Sequence, residues 1–284
     1  MLENSFVHLP GISPEVEKRL WSMGFHNWDQ LEENLGELFG AKKAEKLIAA
    51  LEESRAALDC GELAFFQEKL KGPEKWRFLP GLLDKGLATK IAYLDIESTG
   101  LGFPPAAHST SIAVLFDGEL HVEHRHDRKR ELMERVEREA HCLVTFNGAA
   151  FDLPFLRREF ELDLRNPHVD LRYWFAKHDR RGGLKKLQTQ FPDVRQRESM
   201  DIDGFDAVKL WRMHEWGVER ALETLMTYNA EDTVVLEQLM YCGLNLEAEA
   251  HPHLRLVTYD IPPCAAISTR VCHEVYKQLR GQVW

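Results

Sequence analysis

Residues 90–102, KIAYLDIESTGLG, constrain the fold more than any other stretch of the chain. Ile91, Tyr93 and the apolar residues between them predict a short buried strand. Side chains alternate faces along a strand, so Asp95 and Glu97 share one face and Ile96 takes the other. Two carboxylates a few ångströms apart at the end of an apolar strand repel each other. Burying them unpaired is costly, or forces one of them to take up a proton. A bound divalent cation removes the conflict, so the spacing predicts a metal site. The turn at Ser98-Thr99-Gly100-Leu101 leaves room for a ligand to approach the backbone.

With 284 residues and 44% hydrophobic side chains, the chain can bury a core around such a strand, as one large domain or as a domain with a small appendage. No apolar run approaches a membrane span, and the opening MLENSFVHLP lacks both a basic n-region and an apolar h-region. The expectation is a cytoplasmic protein without a membrane partner. Cys60, Cys142, Cys242, Cys264 and Cys272 are scattered and form no CxxC pair, which predicts buried thiols instead of a disulfide framework or a zinc or iron–sulfur site. The net charge of −10 argues against a protein that holds nucleic acid by a broad basic surface. A nuclease remains compatible with that charge, because its cations meet the phosphate while its carboxylates add negative charge.

Residues 1–60 predict a separable helical segment. A tight turn at Leu9-Pro10-Gly11-Ile12 precedes an amphipathic run with Val16, Leu20 and Met23. Gly40 then precedes a helix with Ala44, Leu47, Ile48 and Leu51 on one face. The pair resembles a helix-hairpin-helix unit, which elsewhere binds the DNA backbone through hairpin amides and a helix N-terminus. Ser13 stands where a second glycine is usual, and the segment carries 6 basic against 11 acidic residues. Phosphate binding and plain helix packing therefore both stay open. Residues 61–89 read as a linker with a short helix.

Beyond the first strand, 111–116 and 119–126 read as two strands joined at Asp117-Gly118, a hairpin signal. A helix over 128–141, a buried strand over 142–146, a helix over 153–160, a strand over 168–175 and a helix over 184–191 follow. From Asp203 the pattern is helical to about Ala250. Residues 251–284 read as an extension packing on the preceding domain, with a last helix over 268–279. A strand, a hairpin, then alternating helices and strands predict an α/β fold around a mixed sheet.

Two more segments carry acids in informative settings. In CLVTFNGAAFDLPFL (142–156), Asp152 suits a helix N-cap, with Pro154 in the first turn, as well as it suits a metal ligand. In LMTYNAEDTVVLEQLM (225–240), Tyr228 and Asp232 share a helix face. Leu222, Leu225, Met226, Leu236 and Leu239, on or beside that face, predict that Asp232 points inward; a polar pair at the surface is the alternative. Glu231 faces roughly 100° away.

Taken in order, Asp-x-Glu on a first strand, Asn-x-x-x-Phe-Asp after a later strand and Tyr-x-x-x-Asp on a late helix resemble the DEDD superfamily of 3′–5′ exonucleases, which have the ribonuclease H-like fold. Tyrosine in the third motif resembles the DEDDy subgroup. Gly182-Gly183-Leu184-Lys185 and DGFDAVKLWRMHEWG (203–217) are similar to the bacterial YprB-like group. The resemblance implies a ribonuclease H-like exonuclease domain over residues 90–250.

It also implies that Asp95, Glu97, Asp152 and Asp232 hold two Mg²⁺ or Mn²⁺ ions, and all-oxygen ligands agree with that choice. Tyr228 would orient the attacking water, since a phenol of pKa near 10 is a poor base at pH 7. Thr99, Gly100, Leu101 and Asn147 are candidates to receive the terminal nucleotide. Backbone amides near Thr99 would bind its 3′-hydroxyl, while Leu101 and Phe151 would flank its base. Lys185 and Asp170 are further candidates. The implied reaction releases 5′-mononucleotides from single-stranded DNA or DNA 3′ ends. A 3′–5′ exoribonuclease, a structure-specific endonuclease on the same fold and a non-catalytic nucleic-acid-binding module are the alternatives.

Overall fold

The computed structural model describes residues 1–197 and 202–281. Helices α1 (Pro14–Ser22), α2 (Trp28–Leu38) and α3 (Ala41–Cys60) form the N-terminal part. Ser13 acts locally, where its side chain accepts from the Val16 amide and caps α1, with Pro14 in the first turn. Gly40 precedes α3, and Gly61, at φ 72°, ends it in the left-handed conformation that glycine adopts freely. Helix α4 (Leu63–Lys69), a 3₁₀ turn over Gly72–Phe78 and α5 (Leu79–Asp84) lead into the sheet.

The sheet contains β1 (Ile91–Ser98), β2 (Ser109–Phe116), β3 (Glu119–Glu123), β4 (Cys142–Thr145) and β5 (His168–Asp170), in the order β3-β2-β1-β4-β5. Strand β1 runs antiparallel to β2 and parallel to β4, and β4 runs parallel to β5, so the predicted mixed sheet is present. At the β2–β3 hairpin, Asp117 and Gly118 both have positive φ (53° and 78°), the primed turn that the dipeptide predicts. Strand β3 stops at Glu123, earlier than the sequence pattern suggests, and His126 already belongs to α6 (His126–Glu139).

Helices α6 and α7 (Asp152–Phe160) cover one face of the sheet, where Leu94 and Ile96 pack with Met133, Val136, Phe155 and Leu156. The remaining helices are α8 (Leu171–Ala176), α9 (Leu184–Gln188), α10 (Gly204–Glu215), α11 (Ala221–Ala250) and α12 (His273–Gly281). Helix α11 crosses the opposite face, packing Val235, Leu239 and Met240 against Ile91 and Tyr93. That cluster continues into the N-terminal helices through Leu31, Leu47 and Trp76, so one apolar core joins them to the sheet.

A buried ion network follows the same route. Arg77 pairs with Glu17 of α1 at 2.9 Å and with Glu74 at 2.8 Å, and Lys177 bridges Glu74 (2.9 Å) to Glu247 of α11 (3.3 Å).

Three expectations need correction. The strand expected over 168–175 ends at Asp170, because the Asp170 side chain accepts from the Arg172 amide and starts α8. The helix expected from Asp203 to Ala250 is two helices, since Gly217 and Arg220 take positive φ (81° and 62°) and turn the chain between α10 and α11. The last helix starts at His273; before it the chain is irregular and tied to α11 by Asn245–Tyr259, Gln238–Pro262 and Thr224–Cys272 hydrogen bonds.

Candidate metal centre and substrate cleft

Because strand faces alternate, β1 turns Tyr93, Asp95 and Glu97 toward α11, and α11 answers with Tyr228 and Asp232 one helical turn apart. Ligand oxygens of Asp95, Glu97 and Asp232 lie within 4.8 Å of one another. Glu97 and Asp232 are buried and Asp95 is partly so. Asn229, the residue after Tyr228, fixes Asp95: its Nδ2 donates to Asp95 Oδ2 at 2.7 Å, while its Oδ1 accepts from Ser111 Oγ at 2.8 Å. Ser111 sits opposite Glu97 in the β1–β2 register, so one amide side chain clamps the acidic end of the sheet to α11.

Asp152 arrives from the turn after β4. It occupies the first turn of α7 and does not cap it; its Oδ1 accepts from the Ile96 amide at 3.2 Å, which brings the carboxylate to β1, although it is not one of the three acids whose oxygens lie within 4.8 Å of one another. Of the two roles open for it, the structure excludes the cap. Asp170 holds the preceding turn, accepting from the amides of Asn147 (2.8 Å) and Ala149 (3.0 Å). Gly148 is required there, since a Cβ at that position would lie 2.3 Å from Thr145 Oγ1. The Asn147 side chain accepts from Arg172 Nη1 at 2.8 Å.

The electrostatics follow from this crowding. Burial pushes the Asp95 carboxyl up to about 7, against a lowering by the Asn229 bond and by Arg197. Burial, then the charges of Asp95 and Asp152, push Glu97 well above the carboxylate range. Burial and Asp95 do the same to Asp152. Burial, with Glu97 and Asp95 beside it, raises the Tyr228 phenol, so it keeps its proton at neutral pH and has it to donate. These are carboxylates that resist ionising together unless positive charge joins them. Clustered oxygen donors are the chemistry that Mg²⁺ and Mn²⁺ take, so the residues fit a hard divalent cation.

Two cations of the chain already approach the cluster. The Arg197 guanidinium hydrogen-bonds Asp232 Oδ1 through Nη2 and Gln188 Oε1 through Nε (2.6 Å), and its carbon lies 6.0 Å from the Tyr228 ring centroid. Lys185 Nζ lies 5.1 Å from that centroid, and burial, followed by Arg197, lowers its pKa to about 8. Sequence reading missed Arg197 and Asn229. Asn229 had a signal, as a polar residue inside the apolar run of α11; Arg197 lies in an irregular segment and had none.

A cleft of about 440 Å³ opens beside Glu97. Thr99, Gly100, Leu101 and Phe151, four of the expected substrate residues, line it, and α10 adds Phe205 and Arg212. Leu101 and Phe205 are 94% and 67% exposed, which is unusual for side chains of this size; Lys209 Nζ lies 4.8 Å from the Phe205 ring centroid and leaves much of that ring open to a stacking partner. Of the backbone amides near Thr99, that of Thr99 itself donates to the His108 carbonyl at 3.0 Å, because it continues the β1–β2 pairing past the bulge after Glu97. A larger cleft of about 720 Å³ lies away from the acids, beside the Leu9–Ser13 turn, and includes Lys46, Lys69 and Lys71.

A five-stranded mixed sheet with helices on both faces and carboxylates on its central strand defines an α/β protein of the ribonuclease H-like class. The family model described as the RNase H superfamily matches residues 92–242, and the chain belongs to that superfamily. Neither the comparison with curated proteins nor that with solved structures gave a match. Membership suggests a nuclease, and a nuclease implies a nucleic-acid substrate. Among the described residues, no helix is long and apolar enough to cross a membrane.

Proposed function

We propose that this chain is a metal-dependent 3′–5′ exonuclease of the DEDDy type, similar to the YprB-like group, that releases 5′-mononucleotides from single-stranded DNA or DNA 3′ ends. The observation that carries the reading is the gathering of Asp95, Glu97 and Asp232 oxygens within 4.8 Å, with Tyr228 one turn from Asp232. Asp95, Glu97, Asp152 and Asp232 would hold two Mg²⁺ or Mn²⁺ ions. Such a pair stabilises the attacking and departing oxygens of an in-line displacement at phosphorus.

The chain's own groups do the rest. Tyr228 keeps its phenolic proton and directs a water by hydrogen bond; it takes no proton itself. Asn229 holds Asp95 toward α11 so that its carboxylate does not rotate out of the cluster. Leu101, Phe151 and Phe205 offer apolar surface to a splayed terminal base, which favours single strands. Lys46 of the N-terminal segment and Lys71 of the stretch after it, beside the Leu9–Ser13 turn, support a contact with the phosphate backbone.

A digestion panel of matched DNA and RNA oligonucleotides with Mn²⁺, Mg²⁺ or chelator tests the reading. Mononucleotides should appear from the 3′ end of DNA, only with metal, and a blocked 3′ end should stop the reaction. Faster loss of RNA would identify an exoribonuclease, and nicking of a circular single strand an endonuclease.

A further inference from the structure

Arg197 has no place in the four-acid scheme, yet it is the most completely buried cation at the acid cluster, with its side chain 1% exposed. Its guanidinium is held on two edges, by Gln188 at Nε and by Asp232 at Nη2. Gln188 is itself buried, and its Nε2 donates to the Arg195 carbonyl. The Arg195 amide in turn donates to Gln238 of α11 at 2.8 Å. The segment before Arg197 is therefore fastened to the same helix that carries Asp232, and the guanidinium plane is fixed.

The third edge is different. Nη1 is buried and has no hydrogen-bond partner among the described residues. A buried donor left unpaired is a cost that native folds avoid unless something outside the chain satisfies it. Nη1 shares a carbon with the nitrogen bound to Asp232, so it lies next to the acid cluster. A carboxylate has two oxygens, and the bond to Nη2 leaves the other for a cation.

We infer that Arg197 grips the scissile phosphate, with Nη1 donating to a non-bridging oxygen while Nη2 stays on Asp232; this rests on the nuclease reading of the site. The planar fork suits phosphate, and a guanidinium keeps its charge at every working pH. A polyanion approaching clustered carboxylates needs fixed positive charge beside them, and Arg197, held on Asp232, supplies it from the protein. Its role is then distinct from neutralising the acids, for which a flexible lysine would serve.

The test uses Arg197→Gln and Arg197→Lys in the full chain, with Mn²⁺ binding followed by electron paramagnetic resonance and single-turnover cleavage of a 5′-labelled oligothymidylate. The expected result is Mn²⁺ affinity equal to or above wild type in Arg197→Gln, with cleavage slowed about 10- to 150-fold, the range for losing a charge-assisted hydrogen bond. Arg197→Lys should recover part of the rate. Mn²⁺ binding lost in parallel with cleavage would make Arg197 a support for Asp232 alone, and an unchanged rate would remove it from the reaction; either overturns the inference.

A measurement on the wild-type protein stands apart from variant folding. Nitrogen resonances of the Arg197 guanidinium should shift with thymidine 5′-monophosphate and not with thymidine, and equal response to both overturns the inference. Absence of any metal-dependent cleavage by wild type would instead sink the nuclease reading, leaving the nucleotide titration to judge Arg197 on its own.

Discussion

Asp95→Asn separates the cost of crowding the acids from their use. In chelated wild-type protein, burial lifts the Asp95 pKa from its ordinary 3.8 to about 7. At 1.36 kcal/mol per pH unit, that rise corresponds to a penalty of about 4 kcal/mol once the folded state is forced to ionise. The sign follows from proton counting. Between pH 4 and 7 the folded chain keeps a proton that the unfolded chain has released, so stability falls as pH rises through this window and is flat in this group above it.

Asparagine cannot ionise, and its carbonyl can still accept from Asn229 Nδ2, so the clamp to α11 survives. At pH 8 in chelator, Asp95→Asn should exceed wild type by about 2–4 kcal/mol, a rise in Tm of roughly 5–15 °C. The gain should fade toward pH 4. Saturating Mn²⁺ should reverse the order, because wild type gains a ligand-bound state that the variant lacks. Turnover should be abolished throughout. Thermal melts from pH 4 to 8, with chelator or Mn²⁺, measure all of this. Identical melting curves for the two proteins at pH 8 in chelator would refute the account of strained, co-buried carboxylates.

Phe205→Ala should raise KM for single-stranded oligonucleotides about tenfold to a hundredfold, from the loss of one base-stacking surface, with little change in Tm; an unchanged KM would take α10 out of the substrate path. Arg77→Met strands Glu17 in the interior without a cation and leaves Glu74 with Lys177 alone. Urea unfolding should show a loss of about 3–5 kcal/mol, and a loss below about 1 kcal/mol would mean that water reaches the network.

Much of this architecture is legible in the sequence. The apolar run of β1, the Asp117-Gly118 turn, the α6 and α7 periodicities and the glycine before α3 predict elements within a few residues of those observed. The misses have local causes. Asp170 ends a strand by capping the next helix, and a β-like composition hides that. Gly217 breaks what reads as one long helix, because its left-handed φ is invisible to a helical hydrophobic count. That the Thr99 amide is used in pairing past a bulge cannot be seen from one strand.

By itself, then, the sequence determined which acids share a face. The two-residue repeat of a strand sets Asp95 beside Glu97, and the four-residue step of a helix sets Tyr228 beside Asp232, whatever the rest of the chain does. Tertiary structure alone decided who meets them. Asn229 reaches Asp95 across 134 residues of sequence, and Arg197 reaches Asp232 across 35. Asp152 leaves its helix cap for the Ile96 amide, and Phe205 comes to the cleft on a helix that the sequence does not separate from its neighbour. Spacing along one element is fixed by backbone geometry; pairing between elements depends on which apolar faces pack, and that is settled only when the whole core closes.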